Sequence, residues 1–560
     1  MRKRGTVVGI YLAAILFYGF FVSLFSSTVH VGVDEEIYLA LAKSFHYHGR
    51  FEIAGEPSSY TCILYSALIS VAYYFYAPET ILLFMRLIGV LTMCSAVFPI
   101  ALLAQKILQD EKKVLKLCVV SMILPYMFDC AYLMQEVLSY PLFLWTLYFF
   151  YCAHENAHSY RVNIHIVICA FFSVLCFFTK TYLFFIPVVI NILYFHELIT
   201  KKERKKTIKK VLSYDVVYLI LTCMIYVGIR MTNGFAQGSD HYGNQFQQLF
   251  PMEVSTVVCG IFNMIFYLAF LFWNMGMVPM LSLYINNKYY KEGEEKTAEF
   301  CKLSLALLVI EIVVLIVMTE ERGEPLPHKF LFRYFQIVVP IVLILFERMR
   351  QELISLTEKW VKYAIGGFTV VPMIYFLILR GDTRQSIIDG HFFLLLENAT
   401  KYIIPYADVI IVGICGGMLV YLIWKNGKST EMLFRKITLL GGIAIGIMFI
   451  VNCFQLPFYN NVIAGGKQIQ KDSIKIADYL NENEYELVYY IENEDYYLGN
   501  FYGYIKQPHK VIKMDDLEQC LEMDKDKKTA VISGDKMAEK SMILSDSGLD
   551  TEKITLYTIL

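Results

Sequence analysis

Apolar runs of roughly twenty residues recur along the chain from its N-terminus to about residue 455, separated by short polar stretches. At 1.5 Å per residue, a helix of that length crosses the ~30 Å hydrocarbon core of a bilayer. The runs lie near 6–26, 81–105, 114–129, 137–153, 163–179, 181–199, 212–231, 256–285, 298–318, 334–347, 360–379, 404–424 and 437–455, and so predict about thirteen transmembrane helices. A shorter apolar piece at Tyr65–Tyr76 reads as an interfacial or re-entrant segment. After Gln455 the pattern turns polar. An amphipathic helix near Ile474–Asn481 is followed by a strand at Leu487–Ile491 and alternating pieces at Val511–Lys513 and Thr529–Ile532. The expected fold class is therefore a polytopic α-helical membrane protein, 1–455, followed by a small α/β domain, 456–560.

Composition narrows the class. Of the 560 residues 57% are hydrophobic and 18% charged, with a mean hydropathy of +0.49. Soluble domains average about 25% charged residues. A cytosolic enzyme, a secreted module and a disordered scaffold are excluded, and a net charge of −1 gives no footing for nucleic acid. Several of the thirteen Cys sit inside apolar runs, where Cys behaves as a small hydrophobe, and there is no Cys-x-x-Cys pair of the zinc kind. The start, Arg2-Lys3-Arg4 followed by a long apolar run without a clear cleavage site, reads as an uncleaved signal anchor.

Basic loops set the expected orientation. Counting spans alternately puts Arg2–Arg4, Lys112–Lys113, the run from Lys201 to Lys210, Lys288 and Lys291, Arg348 and Arg350, and Lys425 to Lys436 on one side. That side is taken as cytoplasmic in a plasma membrane. The outer side then receives Val31–Tyr65, Asp129–Glu136, Thr232–Ser255, Glu320–Phe332, Arg380–Lys401 and the C-terminal domain.

Charges near membrane depth are candidate functional groups, because each is costly unless paired or wet. Asp34, Glu35 and Glu36 follow the first span on the outer side, and Glu136 opens the fourth. Arg86, Lys180, Arg230 and Arg333 fall within a turn or two of outer helix ends. Acids rimmed by cations on one face fit chemistry on an anionic, lipid-borne substrate. A carboxylate takes a proton from an acceptor, and Arg or Lys holds a departing phosphate. The bland alternatives are that terminal Lys and Arg snorkel to headgroups and that loop acids are solvated surface. Glu311 reads equally as a paired structural charge or a site residue, and His165 as a hydrogen-bonded core histidine. Asp240 and His241, in the Thr232–Ser255 loop, read as surface or acceptor-selecting residues. Gly427-Lys428-Ser429 imitates the end of a phosphate-binding loop, but Leu422 stands where its first glycine belongs. No nucleotide site is legible.

The stretch Asp34-Glu35-Glu36-Ile37-Tyr38-Leu39-Ala40-Leu41-Ala42, with Gly49-Arg50-Phe51, resembles the first outer loop of the C-type (GT-C) glycosyltransferases, in the aminoarabinose transferase and protein O-mannosyltransferase branch. Leu64-Tyr65, Arg86-Leu87 with Gly89, Pro125 followed by Glu136-Val137-Leu138, Thr179-Lys180, and Arg333-Tyr334 with Pro340 are similar to later elements of that family in the same order. The resemblance implies an inverting transfer of a sugar from a polyprenyl-phosphate carrier, at the outer face, to a lipid, glycan or protein acceptor of the cell envelope. It implies Asp34 as base, Glu35 in support, and Glu136 as a second acid near the acceptor. Arg86, Lys180, Arg333 and Tyr334 would hold the donor phosphate; Tyr38, Tyr65 and Arg230 would belong to the loop and acceptor side. It leaves a metal open: some relatives hold a divalent cation between acids, here Asp34 and Glu136 if the fold joins them. The Lys-Pro-Pro stretch of the aminoarabinose enzymes is replaced by Ser59-Tyr60-Thr61-Cys62-Ile63-Leu64-Tyr65, which leaves sugar and acceptor open. The competing classes are a polyprenyl-linked polysaccharide polymerase or ligase, a lipid or sugar transporter, and a non-catalytic assembly protein.

Overall fold

The computed structural model describes the chain except residues 1, 26–32, 54–55, 76, 109, 156–160, 201–203, 234–253, 275–294, 319–331, 356–358, 380–390, 426–429, 464, 492–504, 506, 508, 513–515, 534–543, 550, 552–554 and 560. Asp240, His241 and Gly427–Ser429 lie outside the described residues, as do most of the Glu320–Phe332 loop and Lys288 and Lys291.

The N-terminal third comprises α1 (Arg2–Ser23), α2 (Val33–His48), a two-residue antiparallel hairpin of β1 (Glu52–Ile53) and β2 (Glu56–Pro57), α3 (Leu64–Ile69), α4 (Pro78–Cys94), α5 (Val97–Leu108) and α6 (Glu111–Met122). The central third holds α7 (Glu136–Glu155), α8 (Arg161–Thr179), α9 (Phe185–Thr200), α10 (Arg204–Thr232), α11 (Val254–Asn274) and α12 (Glu295–Met318). Then come α13 (Val339–Ser355), α14 (Lys359–Leu379), α15 (His391–Tyr402), α16 (Ala407–Lys425) and α17 (Thr430–Phe458). Among the described residues six helices are long and apolar enough to cross a membrane, at Gly5–Ser23, Glu79–Leu108, Thr181–Ile199, Arg204–Thr232, Ala407–Lys425 and Met432–Val462.

These helices bury one face and leave apolar side chains outward. On α1, Tyr18, Phe21 and Val22 are buried against α4–α6 while Leu12, Leu16 and Phe20 are exposed, as expected of a helix whose outer solvent is lipid. Tyr18 disposes of its hydroxyl by donating to Met122 O at 2.7 Å.

Two predicted spans are not single straight helices. The 81–105 run is α4 and α5 with a junction at Ser95–Ala96, where Thr92 and Ser95 hydroxyls bond back to Ile88 O and Thr92 O (2.5 and 2.6 Å). The 114–129 run bends by 50° between α6 and a 3₁₀ turn at Pro125–Ala131. Pro125 explains the bend: its ring drives Leu124 out of the helical region, to φ −65° and ψ 145°.

Past a π-turn at Tyr459–Ile463, α18 (Gly466–Glu482) buries Ile469, Ile476 and Leu480 against a five-stranded sheet. Its strands are β3 (Leu487–Ile491), β4 (His509–Ile512), β5 (Thr529–Ser533), β6 (Leu544–Asp546) and β7 (Thr555–Ile559), in the order β4-β3-β5-β7-β6. β3 runs parallel to β4 and β5, and β7 runs antiparallel to β5 and β6. The central strands β3 and β5 are buried on both faces, with α18 on one and α19 (Leu517–Met523) on the other. This unit touches one end of the bundle. Gln470 donates to Glu79 Oε1 at 3.3 Å, Asn461 to Leu24 O at 2.7 Å, and the Lys43 ammonium to Ile505 O. The candidate site lies at that same end.

Candidate active site

The first turn of α2 carries Asp34, Glu35 and Glu36, where carboxylates meet the positive end of the helix dipole. Successive residues on a helix point 100° apart, so the three diverge. Asp34 keeps a side chain 47% exposed, whereas Glu35 is fully buried and accepts the Leu133 N–H at 2.6 Å. That bond ties α2 to the stretch leading into α7. Gln135 adds a second tie by donating to Cys62 O at 3.0 Å.

Glu136 opens α7 and is buried. Its Oε1 receives the Lys180 ammonium from the end of α8 and lies 3.4 Å from Arg333 Nε, on the 3₁₀ turn Phe332–Ile337 before α13. Glu136 Oε2 has no hydrogen-bond partner among the described residues. Arg333 also reaches Asp34, Nη2 to Oδ2 at 3.8 Å, so one guanidinium bridges the exposed and the buried acid.

An aromatic wall backs the cations. Lys180 Nζ lies 4.2 Å from the Tyr334 ring centre and 5.4 Å from Tyr182, and the two rings meet edge to face at 4.6 Å. The Arg333 guanidinium sits 5.1 Å from the Tyr334 ring. Arg86 is buried and donates through Nε to Ala131 O at 2.8 Å. Tyr38 and Tyr65 are buried and pack edge to face at 5.7 Å; the Tyr65 hydroxyl has no hydrogen-bond partner among the described residues.

Asp34, Glu136, Lys180, Arg333 and Tyr334 thus come together from four separated stretches. Arg230 is placed differently, with Nε donating to Tyr226 one turn earlier on α10 at 3.1 Å. Between Asp34 and Glu136 stands the Arg333 side chain, and among the described residues no group of three or more His, Cys, Asp or Glu is arranged to hold a metal. Tyr182, Gln135 and Asn233 were not singled out by the sequence. Asn233, at the end of α10, ties Phe51 to Ser58, accepting from Phe51 N at 3.1 Å and donating to Ser58 O at 2.8 Å. Only the two-residue offset of Tyr182 from Lys180 could have flagged any of them.

No protein-family model matches the sequence, and no curated protein matches it. Solved structures do match in fold. ArnT from Cupriavidus metallidurans bound to undecaprenyl phosphate superposes with a TM-score of 0.58 at 12% identity, over 98% of this chain and 97% of that one. The apo state of ArnT gives 0.57 at 13%, over 100% and 98%. The chain has the ArnT fold. The GT-C resemblance read from the residues and the match to ArnT in three dimensions therefore agree on architecture, and the match runs through both the helical part and the C-terminal sheet.

Proposed function

We propose that this protein is a membrane glycosyltransferase that moves a sugar, with inversion, from a polyprenyl-phosphate carrier to a cell-envelope acceptor on the outer face. The observation that carries the reading is the convergence of Lys180 and Arg333 on Glu136 Oε1, with Arg333 also reaching Asp34. Two nearly buried cations beside an exposed carboxylate form a phosphate clamp next to a base. ArnT, whose fold the chain shares, has been solved with undecaprenyl phosphate, a lipid phosphate of the class the clamp would take. Thirteen spans, a cytoplasmic N-terminus, and an outer unit over 456–560 complete the proposal.

In the reaction, an acceptor hydroxyl or amine gives its proton to Asp34, whose exposure leaves it accessible. The freed nucleophile attacks the anomeric carbon from the face opposite the phosphate. The bond from that carbon to the phosphate oxygen breaks, and its electron pair stays on the phosphate. Lys180 and Arg333 meet the added negative charge in a site where water is scarce, so the attraction is stronger than in bulk. Glu136 holds both cations in place before the donor arrives. Its unpartnered Oε2 is suited to accept from the incoming nucleophile or a sugar hydroxyl.

The test is a proteoliposome assay with a panel of radiolabelled polyprenyl-phosphate sugars and a membrane extract as acceptor. Transfer by wild type and its loss in Asp34→Asn is the expected result. Full activity in Asp34→Asn would remove Asp34 as base, and no transfer from any donor by folded wild type would remove the reaction class.

A further inference from the structure

A second polar cluster lies at the other end of the bundle. His154 is about five turns further along α7 than Glu136, ~27 Å at 1.5 Å per residue, and Glu197 occupies the far end of α9 from Lys180. His154 bridges two carboxylates: Nε2 meets Glu299 at the start of α12, and Nδ1 lies 3.7 Å from Glu197. Lys210 of α10 is buried, with Nζ 3.7 Å from the other oxygen of Glu197. Two acids, one lysine and one histidine from four helices are thus held against one another.

A cleft opens over the set, lined by Phe150, Leu193 and Phe300 as well as by the polar groups. The further cation on its wall is Lys302, exposed on α12 one turn from Glu299, with exposed His196 on the α9 side. The neighbouring start of α10 carries exposed Arg204, Lys205, Lys206 and Lys209. On the same stretch of α9, Phe195 and Ile199 are 63% and 64% exposed, which marks this side of the cleft as lipid-facing. The cleft therefore joins three features: an apolar wall, a lysine with no acid partner among the described residues, and a basic rim beside lipid.

We propose that this cleft binds an anionic phospholipid, with the headgroup phosphate at Lys302 and His196 and an acyl chain along Phe150, Leu193 and Phe300. Charge complementarity selects an anion, since the acids inside the cleft are already met by His154 and Lys210. The apolar wall and the lipid-facing side of α9 select an amphiphile over a free phosphate. The site is separate from the outer cluster and its occupancy does not depend on the transfer chemistry. A lipid seated there would bridge α7, α9 and α12, three helices that also frame the proposed donor clamp at their other ends.

The test uses the purified full-length chain, with native mass spectrometry and thermal shift against phosphatidylglycerol, phosphatidylcholine and inorganic phosphate. Phosphatidylglycerol should be retained and raise Tm, phosphatidylcholine much less, and inorganic phosphate should not displace the lipid at millimolar concentration. Lys302→Glu should weaken phosphatidylglycerol retention at least tenfold and His196→Ala less. Lys425→Glu, an exposed charge change on α16, should leave it unchanged. Equal retention of the two lipids, unaltered retention in Lys302→Glu, or an equal loss in Lys425→Glu would overturn the proposal. Displacement by inorganic phosphate alone would replace the lipid with a free anion. If Lys302→Glu fails to fold, Lys302→Gln supplies the same comparison.

Discussion

Lys180 and Glu136 form an ion pair in which neither side chain is more than 4% exposed, joining the end of α8 to the start of α7. The pair has both a structural and a functional consequence, and the two can be separated. Removing one partner of a buried pair costs up to about 3–5 kcal/mol, less where a second cation remains, as Arg333 does beside Glu136, whereas removing both together is often close to neutral. Lys180→Met alone should therefore lower Tm, and the double variant Lys180→Met/Glu136→Leu should recover part of it. The double variant should still fail in sugar transfer, because the cation proposed to meet the leaving phosphate is gone. Equal Tm values for the single and double variants would show that the pair is not coupled.

Glu35 stands next to Asp34 in sequence and serves a different purpose. Its buried carboxylate accepts the Leu133 N–H and so fixes where α2 presents Asp34. A hydrogen bond to a charged group contributes about 1.5–3 kcal/mol. Glu35→Gln keeps an acceptor oxygen and should retain measurable transfer at reduced rate with an unchanged pH profile, while Glu35→Ala should lose both stability and rate. A pH profile that moves in Glu35→Gln would mean that Glu35 exchanges protons with the reaction.

Much of this arrangement is legible in the sequence because the membrane makes charge expensive. Asp34, Glu136, Lys180 and Arg333 stand out against apolar runs, and their positions near helix ends are enough to group them on one face. The strands at Leu487–Ile491 and Thr529–Ser533 are likewise visible as short runs of branched and aromatic residues. What the sequence does not carry is the choice among partners. That Arg333 bridges Asp34 and Glu136, that Glu35 meets a backbone N–H 98 positions away, and that Lys43 meets Ile505 depend on how helices pack, which local periodicity does not encode. The break before Pro125 was readable from the proline. The break at Ser95–Ala96 carries the same signal in Pro99, in the first turn of α5, which has no N–H to donate to Ser95 O.

Glu311 is a case where the sequence left two readings level. In the structure it is fully buried on α12, about ten ångströms below the Met318 end at 1.5 Å per residue, and neither carboxylate oxygen has a hydrogen-bond partner among the described residues. A carboxylate in that position lowers stability unless something brings it a partner. Glu311→Gln should therefore leave Tm unchanged or raise it in the ligand-free protein. A fall of several degrees would show that the acid is already held by a partner, and would restore the structural reading.

Lys43 gives the contact between α2 and the C-terminal unit a pH dependence of known sign. It lies on α2, nine residues after Asp34, and its ammonium donates to Ile505 O of the C-terminal unit. Burial pushes the amine down from 10.5 to about 7. Between those values the unfolded chain keeps the proton and the folded chain gives it up, so stability rises with pH across that window, by at most about 1.4 kcal/mol per pH unit. Below pH 7 both states are protonated and the cost of burying the charge is fully present. Thermal unfolding and protease sensitivity of the C-terminal unit should therefore improve from pH 7 to pH 9 in wild type. Lys43→Met should abolish that slope and be the more stable protein at pH 7, because it buries an apolar group where the wild type buries a charge. A slope that survives in Lys43→Met would assign the pH response to another group.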